Sequence, residues 1–388
     1  MRILIIVHSV SWIGGGAFFH ALHIATGLSK LGNKVSILST SKDKRLKFVT
    51  SEIKGISLIE SPDLLIGQAR NGWDIYNTIR RIWFLRKTHF DIVHLLDTRP
   101  NVIFPGLFLK FTKKSKLIIE WLDWFGKGGT ATERRRFIRF FMLPIETFFE
   151  EKFRPYADGS IGLGIPLTKR LIGLGVRSNV ITMYHGCDTF QALKDNKVIT
   201  TTNKETKIVG YVGRMREDVM IRLVELSYYL IEKYDSDFVI SIIGNSTFPV
   251  MDYLNEEIRN HFNITGWLSY EEVQNEMMKC NVLILPFDNR SIARNNIWPS
   301  KINDYLSMGK PIVTTKLTVF KDIFQKNEIG LMCDDTTEAI GSSVFRIFND
   351  EALERYFSEN SIELANGALS WDSIIIELVA FYKKVIDN

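Results

Sequence analysis

The segment from Leu285 to Thr315 most constrains the fold that this chain can adopt. It starts in an apolar strand (NVLILPF), passes through a polar loop and a helix, and ends with Gly309-Lys310-Pro311 before a second apolar strand. A strand, a helix and a strand in this order form a βαβ unit, whose two strands run parallel. The loop therefore opens at the carboxyl edge of a parallel sheet, where α/β proteins bind anionic ligands.

The start of the helix in this segment carries chemistry suited to a phosphorylated sugar. Pro299 and Ser300 suit the first positions of a helix, with Ser300 as its N-terminal cap. Lys301 and Asp304 lie three residues apart and share one face of the first turn. A cation beside backbone N–H groups can hold a phosphate, and a carboxylate one turn later can accept sugar hydroxyls. The residues predict a site for a nucleotide-sugar.

The pattern P-S-K-I-x-D-Y-L-x-x-G-K-P resembles the donor-site signature of GT-B glycosyltransferases, especially those of family 4. The resemblance implies an α/β fold with two Rossmann-like domains facing each other across a cleft, and a C-terminal helix returning to the first domain. It also implies a UDP- or GDP-linked sugar held mainly by the second domain. No other cofactor and no metal ion is expected.

Other donor-side residues follow from the same resemblance. Gly213-Arg214 matches the G-R pair that places an arginine on the donor phosphates, and Asn245 ends the strand FVISIIGN. Asp304 takes the second place of the family's pair of carboxylates, and Asn296 takes the first. Arg214 and Lys301 are therefore expected to offset the charge of the leaving nucleoside diphosphate, while Asp304 binds sugar hydroxyls.

The length of 388 residues predicts two domains of ordinary size. We expect an N-terminal acceptor-side domain at residues 1–190, completed by the closing helix 371–388, and a donor-binding domain at 205–370. The polar stretch TFQALKDNKVITTTNKETK, without hydrophobic periodicity, is predicted to link them.

The chain opens with a second βαβ pattern. The strand RILIIVHSV is followed by Gly14, Gly15 and Gly16, then by the helix AFFHALHIATGLSKLG and the strand NKVSILSTS. The glycine turn is either a cradle for phosphate or sugar or simply the route from strand to helix. The second strand ends in Ser and Thr rather than an acid, which disfavours NAD. In GT-B proteins the equivalent turn lies against the donor diphosphate.

Acceptor-side candidates lie at the ends of two further strands. His94 and Asp97 lie in and after DIVHLLD, where His94 is either a cleft residue or a histidine satisfied within the core. Asp123 follows KLIIEWL, between Trp121 and Trp124, where family 4 enzymes commonly carry a histidine. Asp123 is either a general base for the acceptor hydroxyl, if burial raises its pKa, or a structural cap on the next turn.

Charge is unevenly divided along the chain. Residues 1–196 hold 29 Lys and Arg against 16 Asp and Glu, whereas the remainder holds 20 against 28. A basic half usually faces anions such as nucleic acid or an acidic membrane. Nucleic acid is disfavoured because no binding motif appears. We therefore expect binding to an anionic membrane surface through a cluster that includes Arg80, Arg81, Arg86 and Lys87.

The segment TERRRFIRFFMLPIETFFEEKF adds to that expectation. Phe137, Phe141, Ile145 and Phe148 form one stripe at helical spacing, with arginines mostly opposite. The stripe predicts either a core helix with a solvated charged face or a helix that docks on an anionic bilayer.

The cellular setting follows from what the sequence lacks. Three scattered cysteines show no metal-site spacing, the first twelve residues do not form a signal peptide, and no run of eighteen apolar residues occurs. We expect a cytoplasmic protein attached to the inner face of the membrane.

These observations predict a metal-independent hexosyltransferase that acts on a glycan or lipid-linked acceptor in cell-surface polysaccharide synthesis. Two alternatives stay open: a nucleotide-sugar epimerase or phosphorylase of the same fold, and a non-enzymatic membrane-surface binding protein.

Overall fold

A computed structural model describes residues 1–11, 16–43, 45–177, 179–188, 206–234 and 237–388. The chain divides into two compact units. Unit 1 comprises Met1–His185, Asn296–Trp298 and Trp371–Asn388, and unit 2 comprises Gly186–Asn295 and Pro299–Ser370. Most of the predicted linker, residues 189–205, lies outside the described residues.

Unit 1 is built on a sheet to which eight strands contribute among the described residues. They are β1 (Arg2–Val10), β2 (Lys34–Thr40), β3 (Val49–Ile53), β4 (Ile56–Ser61), β5 (Ile92–Leu96), β6 (Lys116–Trp121), β7 (Gly159–Leu163) and β8 (Asn179–Met183). Their order is β3-β4-β2-β1-β5-β6-β7-β8, and the edge strand β3 runs antiparallel to β4 while the other pairs are parallel.

Five described α-helices of unit 1 lie between its strands in the sequence, and a sixth follows unit 2. They are α1 (Gly16–Lys30), α2 (Ile75–Leu85), α3 (Pro100–Lys113), α4 (Arg136–Lys152), α5 (Ile165–Gly173) and α14 (Trp371–Asp387). Asp74 caps α2, because its side chain accepts a hydrogen bond from the Asn77 N–H at 3.1 Å. The run Ile3–Val7 is fully buried, as expected for a central strand covered on both faces.

Helix α14 belongs to the core of unit 1, although it lies at the far end of the chain. It packs on α1 so closely that a Cβ atom at Gly27 would lie 2.5 Å from Cγ1 of Ile375. The hydroxyl of Tyr382 lies 2.6 Å from Nδ1 of His94, in β5. A small residue at position 27 is therefore a packing requirement.

Arg81 lies inside unit 1, so the prediction that it faces a membrane is wrong. Its side chain is 0% exposed and donates to the carbonyl oxygens of Val7 and Asn101 and to the hydroxyls of Ser61 and Thr40 at 2.9–3.0 Å. A guanidinium has five N–H donors, and four hydrogen bonds from them here join α2 to α3 and to strands β1, β2 and β4. Arg81 is a structural residue.

Helix α4 is not a core helix, which was one of its two predicted arrangements. Phe137, Phe141, Ile145 and Phe148 are 44–76% exposed, and the buried residues of the helix are Glu146 and Glu150. The apolar stripe therefore faces solvent.

Unit 2 has a parallel sheet with the order β11-β10-β9-β12-β13-β14 in the part of the chain that is described. Its strands are β9 (Lys207–Val212), β10 (Phe238–Ile243), β11 (Phe262–Gly266), β12 (Val282–Leu285), β13 (Ile312–Thr315) and β14 (Gly330–Cys333). Its helices are α6 (Glu217–Lys233), α7 (Glu256–Arg259), α8 (Tyr270–Lys279), α9 (Ile292–Asn296), α10 (Lys301–Ser307), α11 (Lys321–Asn327), α12 (Thr337–Phe348) and α13 (Glu351–Asn366).

The order of the strands in unit 2 determines where its loops meet. Strands β9 and β12 lie side by side at the centre, and the loops that follow them open at the same carboxyl edge. The apolar core beside them is formed by α6 and α12 packed on the sheet. The predicted α/β fold with two mainly parallel sheets is confirmed.

Candidate functional site

The carboxyl edge of the unit 2 sheet brings two glycine turns together. The Gly213 N–H donates to the carbonyl of Ile243 at 2.8 Å, and the Met215 N–H donates to the carbonyl of Asn245 at 2.8 Å. Gly213 has φ +106°, a conformation that favours glycine, and a Cβ there would lie 3.2 Å from Nζ of Lys301. The backbone can therefore approach the lysine closely at this edge.

Tyr305 anchors helix α10 to the same edge. It is fully buried, accepts a hydrogen bond from the Val212 N–H at 3.0 Å and donates to the Ile284 carbonyl at 3.3 Å. These two contacts tie α10 to the ends of β9 and β12. Lys301 lies one turn earlier on the same helix, so Tyr305 fixes where the lysine emerges.

Lys301 is held against an aromatic side chain. Its Nζ donates to the Tyr211 hydroxyl at 3.0 Å and lies 4.1 Å from the centroid of the Tyr211 ring. Burial lowers the pKa of Lys301 to about 7, because the ammonium loses water, and Arg216 lowers it further while Asp304 opposes the shift. The lysine is therefore poised to gain a proton when an anion arrives.

Asp304 is the second titratable group of this helix turn. Burial raises the pKa of Asp304 to about 7, and Asp188 adds to the shift, whereas Lys301 and a hydrogen bond with Tyr270 oppose it. The structure thus brings Lys301 and Asp304 together at the start of α10. A cation and a carboxyl group with near-neutral pKa values fit a site for a charged, hydroxyl-rich ligand.

The predicted donor-side residues Arg214, Asn245 and Ser300 are exposed to solvent. Arg214 and Asn245 are exposed in the two turns at the carboxyl edge, directly after Gly213 and Gly244. Ser300 is exposed as well, but its prediction as a helix cap is wrong: it has helical φ and ψ, and its side chain makes no capping hydrogen bond. A residue that already has helical dihedral angles cannot direct its hydroxyl at the next N–H groups.

Arg294, near this edge, was not among the predicted site residues. Arg216 and Arg294 both pair with Asp218, at the start of α6, with Arg216 Nε 3.2 Å from the carboxylate. Val219, at the same end of α6, is fully buried. The spacing of Arg216 and Asp218 in the sequence gave no indication that Arg294 would join them across 76 residues.

In unit 1 two predicted carboxyl groups lie at the ends of adjacent strands. Asp97 follows β5 with φ +70°, and Asp123 follows β6. Burial raises the pKa of Asp97 to about 8, and the charge of Asp123 adds to the shift, while Arg154 and Arg99 oppose it. Burial also raises the pKa of Asp123, against the pull of Arg99 and His20. Both groups thus bind protons more readily than an exposed carboxylate.

The remaining acceptor-side candidates lie inside unit 1. Trp121 is fully buried and donates through Nε1 to the Asp123 carbonyl at 3.0 Å and to Glu150 at 3.1 Å. Trp124 is 9% exposed and lies under the Arg170 guanidinium, 4.1 Å from its ring centroid. Both indoles shape the loop around Asp123, and neither presents an open face for a sugar to stack on.

His94 belongs to a buried chain of polar groups that the sequence pattern did not reveal. His185 contacts His20 at 2.8 Å, His20 contacts Glu120 at 2.9 Å, and Glu120 contacts His94 at 3.0 Å. Burial acts to raise the pKa of Glu120, but His20 and His94 hold it well below its usual value. His94 is 0% exposed, which supports its interpretation as a core histidine. His20 and His185 were missed because they are 165 residues apart.

The glycine turn is described only in part. Gly14 and Gly15 lie outside the described residues, and Gly16 begins α1 at an exposed position.

Asn296, which takes the first place of the predicted carboxylate pair, is the last residue of α9. In the residues described, no cluster of three or more His, Cys, Asp or Glu side chains is arranged to hold a metal ion.

Comparison with known proteins agrees with this geometry. Residues 194–364 match the family model of the glycosyl transferases group 1. An uncharacterized glycosyltransferase from Methanocaldococcus jannaschii is 20% identical over 156 residues, which are 39% of this chain and 42% of that protein. The matched segment therefore spans less than half of the length of that relative.

Solved structures similar to this chain cover nearly all of it. Sucrose-phosphate synthase from Thermosynechococcus elongatus has a TM-score of 0.73 at 13% identity, over 100% of this chain and 99% of its own. WaaG, a glycosyltransferase involved in lipopolysaccharide biosynthesis, has a TM-score of 0.69 at 12% identity, with coverage of 98% and 99%. HepE from Anabaena, solved with UDP-glucose, has a TM-score of 0.64 at 13% identity, with coverage of 99% and 100%. The chain shares the GT-B fold of these neighbours.

Proposed function

We propose that this chain is a glycosyltransferase of group 1 and that it moves a hexose from a nucleotide-sugar to a glycan or lipid-linked acceptor in cell-surface polysaccharide synthesis. The observation that carries the proposal is the position of Lys301. Its ammonium lies at the carboxyl edge of a parallel sheet, next to the open backbone of Gly213, on a helix that also carries Asp304. Such an edge suits a diphosphate and the sugar attached to it.

In this proposal the donor side works by electrostatic stabilisation. Arg214 and Lys301 offset the negative charge that grows on the leaving nucleoside diphosphate, and Asp304 binds hydroxyls of the transferred sugar. Preorganised charges of this kind are often the largest contribution to catalysis. Because two cationic side chains already serve the diphosphate, the proposed mechanism uses no metal ion.

The acceptor side supplies the base. The acceptor hydroxyl attacks the anomeric carbon, the bond from that carbon to the diphosphate oxygen breaks, and the proton of the hydroxyl passes to Asp123. The raised pKa of Asp123 suits this task, because a base with a pKa nearer to neutral pH holds the transferred proton better. Nucleoside diphosphate and glycosylated acceptor are the products.

We propose UDP as the nucleotide of the donor. The support comes from HepE of Anabaena, whose solved complexes contain UDP, UDP with glucose, and UDP-glucose. GDP-linked sugars are the alternative that the sequence left open.

The place of action in this proposal is the inner face of the membrane, where a lipid-linked acceptor is available. The excess of Lys and Arg over Asp and Glu in residues 1–196 supports attachment to an anionic surface. None of the helices in the described part of the chain has both the length and the hydrophobicity needed to cross a bilayer.

Thermal unfolding with a panel of UDP-, GDP-, ADP- and CMP-sugars tests the donor class. A ligand that binds only the folded state at a hundredfold excess over its dissociation constant stabilises it by about 2.7 kcal/mol, a rise of several degrees. We expect that rise with UDP-sugars and its loss in Lys301→Ala. A protein that no nucleotide-sugar stabilises would contradict the proposal.

Product analysis separates transfer from the alternative activities. Release of UDP only in the presence of an acceptor indicates a transferase, whereas turnover of the donor without an acceptor, or with phosphate alone, indicates an epimerase or a phosphorylase. A non-enzymatic surface protein would release no UDP under any of these conditions.

A further inference from the structure

Helix α4 has its polar and apolar faces reversed. Glu146 and Glu150 are the buried residues of its 17, while the phenylalanines at 137, 140, 141 and 148 are exposed by 76%, 74%, 54% and 52%. A surface helix of a globular protein normally buries its apolar stripe and exposes its charges. An exposed apolar face of this kind marks a surface that another body covers.

Buried hydrogen bonds and ion pairs hold the helix in this orientation. The Glu150 carboxylate accepts hydrogen bonds from the N–H groups of Phe125 at 2.8 Å and Gly126 at 2.7 Å. Glu146 lies 3.1 Å from the Arg134 guanidinium and 3.8 Å from that of Arg99. Turning the helix would take both carboxylates away from these N–H and guanidinium groups, and leaving such donors in the protein without their acceptors is costly. The phenylalanine face is therefore fixed outward.

The apolar surface extends beyond α4. The Phe148 and Phe149 ring centroids are 5.5 Å apart, and Phe149 in turn lies 5.9 Å from Phe104 in α3 and 5.6 Å from Trp73, just before α2. A groove of about 600 Å³ runs beside the helix. It is lined by Lys127, Leu143, Pro144, Thr147, Phe148, Glu151 and Lys152.

The charges on this surface identify the kind of partner. All three acidic residues of α4 are engaged within the protein: Glu146 and Glu150 are buried, and Glu151 pairs with Arg170. The basic residues Arg136, Arg139 and Lys152 are exposed. What the helix offers to a partner is therefore aromatic and positive. A second copy of the same face would oppose like charges, whereas the headgroups of an anionic bilayer complement them.

We propose that α4 lies in the interface of an anionic phospholipid bilayer, with Phe137, Phe140, Phe141 and Phe148 among the acyl chains and the neighbouring basic side chains against lipid phosphates. A helix of 17 residues is about 25 Å long and can rest along the surface without crossing it. The inference deepens the proposed function, on which it rests for a membrane-linked acceptor. The contacts that support it belong to α4 and its neighbours and do not involve the donor site.

Vesicle flotation with the full chain tests the proposal. One set of vesicles consists of phosphatidylcholine alone and the other of equal parts of phosphatidylcholine and phosphatidylglycerol. We expect binding to the anionic set, weaker binding to the neutral set, and partial release from the anionic set when salt is raised from about 0.1 M to about 1 M. Failure to bind either set overturns the proposal.

Two double variants separate insertion from charge. Phe140→Ser with Phe141→Ser should lower the partition onto anionic vesicles at least about tenfold, because each removes a large apolar group from the bilayer. Arg136→Glu with Arg139→Glu should lower it about tenfold or more on anionic vesicles and little on neutral ones. Binding by the serine variant at the level of the unchanged protein refutes insertion.

Matched controls replace side chains of similar exposure on other helices. Ile376→Ser removes an apolar side chain that is 63% exposed on α14, and Lys321→Glu with Lys326→Glu reverses two exposed charges on α11. Both should bind vesicles as the unchanged protein does. Loss of binding in these controls at an unchanged unfolding midpoint would refute the assignment to α4.

Self-association and donor binding are measured on the same samples. If the chain dimerises, ignores vesicles and becomes monomeric in the serine variant, the face takes a second copy and the bilayer proposal fails. Stabilisation by UDP-sugars is expected to be equal in all variants. If the protein binds vesicles but no nucleotide-sugar, the inference about α4 stands and the proposed function is refuted. If it binds a nucleotide-sugar but no vesicles, the proposed function stands and the inference about α4 is refuted.

Discussion

The ammonium of Lys301 donates to the Tyr211 hydroxyl at 3.0 Å and lies 4.1 Å from the centre of the same ring. The first contact fixes the direction of the lysine and the second offers it the negative face of an aromatic ring, which stabilises a cation. The ring does not neutralise the charge, because it contributes a quadrupole and not an ion. When Lys301 is protonated, the ring therefore leaves its positive charge available to an anion at the carboxyl edge of the unit 2 sheet.

Replacement of Lys301 by alanine should weaken UDP binding about tenfold to a hundredfold, because a hydrogen bond to a charged group contributes roughly 1.5–3 kcal/mol. Calorimetric titration with UDP measures the effect. Lys316→Ala is the matched control, because Lys316 is a largely exposed lysine of the same unit that pairs with Asp334 at 2.7 Å. Equal affinities in the two variants would remove Lys301 from the donor site.

The affinity for UDP should fall as pH rises through about 7. Lys301, with its pKa near 7, loses its positive charge over this range, and Asp304, with its pKa also near 7, gains a negative one. Both changes disfavour a diphosphate, so we expect at least about tenfold weaker binding at pH 8 than at pH 6. Lys301→Arg keeps its charge throughout and should show a shallower dependence. The same slope in that variant would contradict the assignment.

Asp123→Asn should abolish sugar transfer and leave UDP binding unchanged. Asparagine keeps the shape of the side chain but cannot accept the acceptor's proton. Single-turnover transfer and thermal stabilisation by UDP, measured on one preparation, test the two halves of this expectation. Near-normal transfer would favour the alternative that Asp123 only caps the turn that follows it.

Arg81→Met should destabilise unit 1 by at least about 3 kcal/mol, because four buried acceptors lose their donor. For a unit of about 200 residues that loss corresponds to a midpoint roughly 6–12 °C lower. Arg80→Met, one residue earlier on α2, is the control and should change the midpoint little. If Arg81→Met unfolds at nearly the same temperature as the unchanged protein, water has replaced the guanidinium as the donor to these four acceptors.

Prediction from the sequence was most successful where hydrophobic periodicity is local. RILIIVHSV was predicted as the first strand, and β1 runs from Arg2 to Val10. A run of apolar residues bounded by polar ones identifies a central strand because both its faces are buried. The same reasoning located β10 and β12 in the second sheet.

Prediction failed where the orientation of an element depends on contacts distant in the sequence. Helical periodicity located α4, but it cannot tell which face turns inward. That is decided by Glu146 and Glu150, whose partners Arg99 and Gly126 lie on other loops. Arg81 failed for the same reason, since its acceptors are brought together only by the folded sheet.

The spacing of the candidate site residues in the sequence does not show which side chains from other elements contact them. Lys301 and Asp304 were identified from one helix turn, but the residues that form hydrogen bonds with them, Tyr211 and Tyr270, come from other elements. The residue type of Ser300 predicts a cap, whereas its φ and ψ already belong to the helix.

The hydrogen bond between His94 and Tyr382 joins residues that are 288 positions apart in the chain. During synthesis the strands of unit 1 leave the ribosome long before helix α14 exists, and all of unit 2 is made in between. The face of α1 that packs against Ile375 is therefore exposed to solvent while the second unit is translated. Domains usually fold in the order in which they are made. Here the unit that begins first is completed last, so its core stays incomplete until residues 371–388 have been translated.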